Sequence, residues 1–418
     1  MPIKLMEWDE VRASEASQRT ANKIRQVVDV DRIKPNPEKK LISLGLGDPS
    51  IGGNLDTDEV VTEALVKQVR CMRSNGYPPS SGLLKAKEAI VQRYSHPDAP
   101  LSVRDITMAS GCSGALDLCF KAMANPGDTI LLPRPGFTVY ETICKAIGVN
   151  VHYYSLIPER HWEIDLEALE AFLQTNSSTG ERKIAAWLIN NPSNPCGSVY
   201  SRDHLAACVA LADRFKLPIV ADEIYEGMVF AGQTFHPIRH LSRSVPVLTV
   251  SGLSKRWLVP GWRIGWIIIH DPLGLMDQVR AGLVNLSGTI LGPNSIGQAA
   301  LPEIFASTPD SFYASTMEIL EENAKIAGEC LEGIPGITFL RPQGSMYAMI
   351  GIDVSRFNGI SNDRQFTELL HAEESVVCLP GEIFGMPNYF RIVYCIPRDL
   401  VKEACSRIRT FCLAHLKN

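Results

Sequence analysis

Lys255 and Arg263 are the two residues of this 418-residue chain whose types and spacing first indicate chemistry. Lys255 follows the apolar, β-branched run VPVLTVSG, and Arg263 comes eight residues later in SKRWLVPGWRIGW. A lysine amine at the end of a strand can form a Schiff base with an aldehyde, and a guanidinium beside it can neutralise a phosphate. The pair predicts a site for pyridoxal phosphate (PLP), although two such cations in a loop are also compatible with ordinary surface charge.

Asp222 and Tyr225 lie at the end of another apolar run, LPIVADEIY. A carboxylate there can pair with the pyridinium nitrogen of PLP and keep it protonated, so that the ring withdraws electrons from the α-carbon of the substrate. The Tyr225 hydroxyl can bond the phenolate oxygen of the same ring. Taken singly, Asp222 could cap a helix and Tyr225 could be a core aromatic residue. Their shared position at a strand end favours the catalytic interpretation.

Asn194 lies in NNPSNPCGSVYS, directly after the apolar run IAAWLIN. The two Asn-Pro steps of this segment favour extended or turn conformations, so the motif alone could be only a tight turn. Asp222 follows 28 residues later, at the end of the next apolar run. This order favours a functional Asn194, whose amide would bond the phenolate oxygen of PLP and the carboxylate of a substrate.

The segment SGCSGALD, residues 110–117, joins an apolar run to a helical pattern. Gly111 and Gly114 allow a close approach of the backbone, and Cys112 and Ser113 present N–H groups at the start of the helix. A helix N-terminus of this kind binds anions. The segment lacks the spacing of GxGxxG, the Walker loop and GxSxG, so it implies no dinucleotide, ATP or simple hydrolase site.

Three further side chains lie at or shortly after the ends of predicted strands. Ser251, in SGLSK, could add a hydroxyl to the phosphate, and Ser254 is a weaker candidate for that role. Phe137, in PRPGFTVY, is placed to stack on a flat ring, with core packing as the alternative.

Short apolar runs alternate with amphipathic segments through the middle of the chain. The runs are rich in Val, Ile and Thr and show little polar alternation, which is typical of strands buried on both faces. The alternation predicts an α/β fold with a mostly parallel seven-stranded sheet flanked by helices. The seven runs are residues 105–110, 128–133, 150–156, 184–190, 217–225, 245–252 and 263–270.

The pattern changes after about residue 305, where a helical segment gives way to short strands with Gly and Pro. We expect a smaller α+β domain there, because two domains are the natural expectation for a chain of this length. The predicted boundaries are an N-terminal arm and part of the small domain over 1–46, a large PLP-binding domain over 47–305, and the small C-terminal domain over 306–418.

Composition excludes several classes of partner. A net charge of −5 argues against nucleic acid and anionic membranes, and no apolar run approaches the length of a membrane span. Eleven scattered cysteines without a CxxC motif predict reduced thiols in a cytoplasmic protein. The N-terminus has neither signal-peptide nor transit-peptide character, although a mitochondrial location of part of the protein remains an alternative. His236 and His240 stand four apart with Pro237 between them and no third ligand near, so we expect no metal.

Together, the strings FTVY, NNPSNPCG, ADEIY, SGLSKRWLVPGWRIG and FRIVYC closely resemble the fold-type-I PLP-dependent aminotransferases. The resemblance runs over nearly the whole chain. For the ring of PLP it implies Lys255 as the Schiff-base lysine and proton carrier, Asp222 at the ring nitrogen, Tyr225 and Asn194 at the phenolate oxygen, and Phe137 on the ring face. For the phosphate it implies Cys112, Ser113, Ser251 and Arg263, with Tyr77 at the phosphate of the partner subunit in a homodimer. For the substrate it implies Arg391 at the α-carboxylate and Gly47 as a backbone contact.

The activity that the resemblance implies is transamination between an aromatic amino acid, tyrosine or phenylalanine, and a 2-oxo acid, either 2-oxoglutarate or pyruvate. The tyrosine product would be 4-hydroxyphenylpyruvate. Alanine as the donor is the nearest rival within transamination. A β-lyase, a carbon–sulfur lyase, a cyclopropane-forming synthase and a non-catalytic binding module are the alternatives outside it. The sequence contains no clear second arginine for the side-chain carboxylate of a dicarboxylic acid.

Overall fold

The computed structural model describes residues 11–28, 33–180 and 182–417. The α-helices of these residues are α1 (Glu15–Arg19), α2 (Lys23–Val28), α3 (Glu59–Cys71), α4 (Leu84–Tyr94), α5 (Gly111–Met123), α6 (Val139–Ala146), α7 (Leu166–Thr179), α8 (Arg202–Arg214), α9 (Asp277–Ser287), α10 (Ser295–Ser307), α11 (Asp310–Leu331), α12 (Asp363–Glu374) and α13 (Arg398–His415). The β-strands are β1 (Ile42–Ser43), β2 (Ile106–Ser110), β3 (Thr129–Arg134), β4 (Asn150–Ile157), β5 (Glu163–Ile164), β6 (Ile184–Asn190), β7 (Ile219–Asp222), β8 (Val247–Gly252), β9 (Ile264–His270), β10 (Ile337–Phe339), β11 (Tyr347–Ile352), β12 (Val376–Val377), β13 (Leu379–Pro380) and β14 (Tyr389–Val393).

The larger sheet has the strand order β2-β9-β8-β7-β6-β3-β4-β5. Its central strands from β8 to β4 are parallel, whereas β9 is antiparallel to β2 and β8, and β5 is antiparallel to β4. The seven apolar runs of the sequence all form strands of this sheet, which confirms the predicted α/β class. The eighth strand, β5, was not predicted, because a strand of two residues has no periodicity to detect.

The ends of the central strands lie level with one another. The register pairs Asn190 of β6 with Asp222 of β7, and Asp222 with Val250 of β8. All residues of β7, β8 and β9 are buried, as the apolar runs predicted. The loops that leave these strand ends therefore open at one edge of the sheet, where ligands of parallel sheets collect.

The smaller sheet is antiparallel, with the order β10-β11-β14-β13. Helices α11, α12 and α13 pack with its strands and with one another. Strand β1 pairs in parallel with β12, with Ile42 opposite Val376, so the chain before residue 46 adds to this second unit. Arg391 lies on the inner strand β14, opposite Met349 of β11 and Leu379 of β13, which fixes its backbone from both sides.

The N-terminal helix α2 is attached to the larger unit through α6. Lys23 Nζ lies 2.6 Å from a carboxylate oxygen of Glu141, Ile24 is buried, and Asn22 caps the start of the helix. Residues 1–10 and 29–32 of the predicted N-terminal arm lie outside the described residues. Over the ranges that the structure describes, none of the helices combines the length and apolar character of a membrane span.

Candidate active site

A cavity of about 460 Å³ lies at the edge of the larger sheet where β6, β7 and β8 end. Its wall includes residues from both sheets and from α2. Most of the residues predicted for the site line this cavity, namely Gly47, Cys112, Ser113, Phe137, Asn194, Asp222, Tyr225, Lys255, Arg263 and Arg391. The parallel topology explains why positions so far apart in the sequence meet here.

Lys255 lies in the turn that follows β8, and its side chain is partly buried. Its Nζ donates a hydrogen bond of 2.6 Å to the carbonyl oxygen of Gly47. Gly47 also lies against Tyr347. A Cβ on residue 47 would be 2.2 Å from the Tyr347 hydroxyl oxygen, so only glycine fits there. The amine is therefore held at the cavity wall by a neutral acceptor rather than by a carboxylate.

Asp222, the last residue of β7, is 3% exposed and holds its carboxylate with three donors. Tyr140 Oη donates to Oδ2 at 2.7 Å, and the Ile224 N–H and the Cys112 thiol donate to Oδ1 at 3.2 and 3.5 Å. Burial raises the pKa of Asp222, while these donors and the charge of Lys255 oppose that rise. A cation placed at this carboxylate would relieve the cost of its burial.

Tyr225 follows Asp222 in a turn and is 3% exposed. Its hydroxyl lies 2.8 Å from that of Tyr347, and either oxygen can be the donor. Burial raises the pKa of Tyr225 well above its usual range, and the nearby Tyr347 adds to the rise. The hydroxyl therefore stays protonated at neutral pH and can donate a hydrogen bond.

Arg391 is a buried guanidinium, 1% exposed, on the wall of the cavity. One terminal nitrogen donates to Asn194 Oδ1 at 2.9 Å and the other to the Gly45 carbonyl at 2.5 Å. Asn194 is held in turn because its N–H donates to Asn190 Oδ1 at 2.8 Å. Within the described residues, Arg391 donates to an amide and a carbonyl but to no carboxylate, and its Nε has no hydrogen-bond partner. A buried cation without a counter-charge is suited to an anionic ligand.

Arg263 and the start of α5 form the opposite end of the site. The two terminal nitrogens of Arg263 donate to the Pro260 carbonyl at 2.9 Å and to the Ser110 carbonyl at 3.2 Å. Gly111, with φ +68°, lies against this guanidinium, and a Cβ there would be 2.2 Å from one of its nitrogens. Cys112 and Ser113 occupy the first turn of α5, so their N–H groups are available to an anion.

Three predicted residues, Ser251, Tyr77 and Gly111, do not line the cavity. Ser251 is buried within β8, opposite Trp266 of β9, and Ser254 lines the cavity instead. Tyr77 is 88% exposed on the surface of the chain. Gly111 also lies outside the lining but contacts Arg263 directly.

Phe137 lines the cavity with its ring edge-to-face on Tyr140, at 5.6 Å between centroids. Tyr140 itself was not predicted, although it lies only three residues after Phe137 in the string FTVY. Tyr347 was not predicted either, because the strand pattern GSMYAMI marks no residue as special. Asn22, just before α2, and Arg25 of α2 also reach the wall, which only the tertiary structure could reveal.

The side chains of this cavity fit PLP. They provide an amine for its aldehyde, a buried carboxylate for its ring nitrogen, an aromatic ring for its face, and a helix N-terminus with an arginine for its phosphate. The unpartnered buried Nε of Arg391 adds a place for the carboxylate of an amino acid.

A mostly parallel sheet with this set of side chains at its strand ends defines a PLP-dependent transferase. The chain belongs to the aminotransferase class I and II family, whose model matches residues 39–408. It is 47% identical to tyrosine aminotransferase of Mus musculus over 98% of this chain and 88% of the relative. Identity to the tyrosine aminotransferase of Homo sapiens is also 47%, over 97% and 88%. The crystal structure of tyrosine aminotransferase from Leishmania infantum superposes with a TM-score of 0.91 at 33% identity, covering 98% of this chain and all of that one. The protein is a PLP-dependent aminotransferase.

Proposed function

We propose that the protein transfers the amino group of an aromatic amino acid, tyrosine first and phenylalanine second, to 2-oxoglutarate or pyruvate. Tyrosine would yield 4-hydroxyphenylpyruvate. The identity of 47% to the mouse and human tyrosine aminotransferases over nearly the whole chain supports this choice over alanine and over lyase chemistry. The single observation that carries the proposal is the meeting of Lys255, Asp222 and Arg391 in one cavity.

Lys255 is assigned the proton transfer. When bound, PLP supplies an aldehyde that condenses with amines and a positive ring that withdraws electrons from the substrate. Lys255 Nζ takes the proton from the α-carbon of the amino acid and returns a proton when the acceptor receives the amino group. The Gly47 carbonyl, 2.6 Å away, accepts a hydrogen bond from this amine and so orients it.

Asp222 is assigned the ring nitrogen, and Tyr225 and Asn194 the phenolate oxygen. Asp222 is buried and carries its own hydrogen-bond donors, so it can remain an anion beside a cationic ring. Tyr225 would donate its hydroxyl proton, and Phe137 would cover one face of the ring and exclude water. The contacts of the described residues support these proposed roles.

The phosphate is assigned to Arg263 and to the first turn of α5, where Gly111, Cys112 and Ser113 bring backbone N–H groups together. Ser254 lines the cavity, so its hydroxyl is the better placed of the two for the phosphate. Ser251 is buried and does not line the cavity.

Arg391 is assigned the α-carboxylate of the substrate. A guanidinium recognises a carboxylate with two parallel hydrogen bonds, and burial strengthens both of them. Asn194 already bonds Arg391 at 2.9 Å, so its amide can orient the same carboxylate. Gly47 would contact the substrate through its backbone.

We further propose a homodimer. Apolar side chains of Val69, Met72, Ile290 and Leu291 are about half exposed or more, and Tyr77 is 88% exposed. Their segments adjoin, because the Ser295 hydroxyl donates to the Ser74 carbonyl at 2.5 Å. Exposed apolar surface of this kind marks protein contacts. Tyr77 would extend from it to the phosphate of the partner subunit.

The proposed division of the chain is an N-terminal arm over 1–46, a large domain over 47–305 and a small domain over 306–418. The beginning of α11 at Asp310 and the pairing of β1 with β12 are consistent with it. A cytoplasmic location is the matching proposal, supported by eleven cysteines that form no disulfide in the structure.

The test is a matrix of amino donors and 2-oxo acceptors with the purified holoenzyme. We expect tyrosine and phenylalanine to give the fastest loss of the visible absorbance of the bound cofactor, and turnover to need an acceptor. Borohydride reduction followed by peptide mapping should label Lys255. Pyruvate and ammonia formed without an acceptor would instead identify a β-lyase, and a label on another lysine would refute the assignment of Lys255.

A further inference from the structure

Tyr347, on the smaller sheet, contacts the turn that follows β7 of the larger sheet. It is the first residue of β11 and is 2% exposed. Its hydroxyl lies 2.8 Å from that of Tyr225, and the two rings meet edge-to-face at 5.7 Å. Among the described residues, the Tyr347 hydroxyl has no other side-chain hydrogen-bond partner. Water competes little for a contact that is buried on both sides.

The surroundings of Tyr347 hold its ring in place. The Arg391 guanidinium lies 4.6 Å from the ring centroid, where a cation over the aromatic face is attracted to the ring. The Tyr347 ring also lies against Gly47, because a Cβ on that residue would be 2.2 Å from the Tyr347 hydroxyl oxygen.

A tyrosine hydroxyl has one proton and two lone pairs. If Tyr225 donates its proton to the phenolate oxygen of PLP, as proposed above, only a lone pair remains for Tyr347. The hydrogen bond between the two hydroxyls must then run from Tyr347 to Tyr225. Two hydroxyl groups that donate in series strengthen each other, because each donor is polarised by the bond it accepts.

We propose that Tyr347 is a positioning residue that donates to Tyr225 and so fixes the Tyr225 proton toward the phenolate oxygen of the cofactor. The inference rests on the proposed role of Tyr225. Tyr347 also contacts Arg391, so the same side chain connects the cofactor oxygen with the site assigned to the substrate carboxylate. Tyr347 does not touch the reacting atoms and acts only through Tyr225.

The measurement is a pH titration of the visible absorbance of the bound cofactor in the holoenzyme. A stronger hydrogen bond to the phenolate oxygen stabilises the deprotonated form of the bound cofactor, so it lowers the pH midpoint of the absorbance change. Tyr347→Phe should therefore shift the spectral midpoint upward by about half a unit to one unit, the size expected for the loss of one hydrogen bond. Tyr225→Phe should shift it further, and adding Tyr347→Phe to Tyr225→Phe should change nothing more.

Tyr394→Phe is the matched control. It removes another buried tyrosine hydroxyl of the same unit, which donates to the Gly344 carbonyl at 3.0 Å and lies outside the cavity. We expect it to leave the midpoint unchanged, and all variants should bind one PLP per chain. An unchanged midpoint in Tyr347→Phe, with a shift in Tyr225→Phe, would overturn the inference while leaving the proposed function intact. Equal shifts from Tyr347→Phe with and without Tyr225 would also overturn it. No shift in Tyr225→Phe would overturn both.

Discussion

The Tyr140 hydroxyl on α6 donates a hydrogen bond of 2.7 Å to Oδ2 of Asp222 at the end of β7. The two residues are 82 positions apart in the chain. Burial raises the pKa of Asp222, and the bond from Tyr140 is the first of the contacts that lower it. Tyr140 therefore helps to keep the carboxylate ionised, as the role proposed for Asp222 at the ring nitrogen requires.

We expect Tyr140→Phe to raise the pKa of Asp222 and to weaken both cofactor binding and turnover. A hydrogen bond to a charged group contributes about 1.5–3 kcal/mol, so kcat should fall roughly tenfold to a hundredfold. The sign of the pH effect follows from the raised pKa. Protonation of Asp222 would begin at higher pH, and the acid limb of the kcat profile should move upward.

Tyr154→Phe is the control for this variant, because it deletes a buried hydroxyl that donates to the Leu188 carbonyl at 2.7 Å, away from the cavity. It should leave the acid limb in place. An acid limb in Tyr140→Phe that coincides with that of the wild type would show that Tyr140 does not hold the Asp222 charge.

Gly111→Ala should weaken the binding of PLP at its phosphate end. Gly111 has φ +68°, a conformation that costs an L-residue about 1–2 kcal/mol, and the new methyl group would meet the Arg263 guanidinium at 2.2 Å. The strain is the same with and without PLP, so the loss of affinity comes from the displaced Arg263 guanidinium. Losing one hydrogen bond to a charged phosphate costs about 1.5–3 kcal/mol, so the dissociation constant for PLP should rise roughly tenfold to a hundredfold. Gly114→Ala is the control, because its Cβ would lie 3.4 Å from the nearest atom. Similar dissociation constants for the two variants would contradict the prediction.

The cavity residues that lie at or after the ends of strands could be predicted from the sequence. Asp222, Asn194 and Lys255 all lie just beyond a buried apolar run, and the parallel order of the sheet then brings them together. Tyr140 and Tyr347 could not be found in this way. Their position in the site depends on how α6 and the smaller sheet pack against the larger one, and a local pattern does not record that packing.

Finer details were also beyond the sequence. Ser251 and Ser254 are three residues apart, and only the end of β8 at Gly252 decides which of them faces the cavity. The role of Tyr77 stays a prediction, because it depends on a second subunit. The two-residue strand β5 forms only because β4 is present to pair with it.

Arg25 should affect the choice of amino acceptor. It reaches the cavity wall from α2, where it is a third arginine beside Arg263 and Arg391. A distal carboxylate of 2-oxoglutarate can pair with it, whereas pyruvate has no such group. Because Arg25 is exposed, the pair contributes only about 0.2–1 kcal/mol, and Arg25→Met should raise the KM for 2-oxoglutarate by up to about fivefold.

The KM for pyruvate should not change in Arg25→Met. Arg19→Met is the matched control, because Arg19 bonds the Ala146 carbonyl and lies outside the cavity. Steady-state kinetics with both acceptors at a fixed tyrosine concentration decide the question. Equal changes in KM for the two acceptors would exclude a contact with the distal carboxylate.

Glu223 should make the stability of the fold depend on pH. It follows Asp222 directly and is 2% exposed; one carboxylate oxygen accepts the Ile238 N–H at 3.0 Å, and the other lies 3.5 Å from an Arg239 nitrogen. Burial raises the pKa of Glu223 from 4.5 to about 7, against the opposing charge of Arg239. The folded protein thus binds this proton more tightly than the unfolded chain does. The resulting stabilisation is complete below pH 4.5 and is lost as the pH rises through 7.

Glu223→Gln should remove this pH dependence. At about 1.4 kcal/mol for each pKa unit, the free energy of unfolding of the wild type should fall by about 3 kcal/mol more than that of the variant as the pH rises from 4.5 to above 7. Denaturant unfolding of the apoprotein at several pH values gives the two curves. The absolute stability of the variant at low pH also differs, because an amide NH2 then stands where the protonated acid has its OH, facing Arg239. The difference between the slopes, and not the absolute stability, is therefore the measure, and parallel curves would mean that Glu223 keeps an ordinary pKa in the fold.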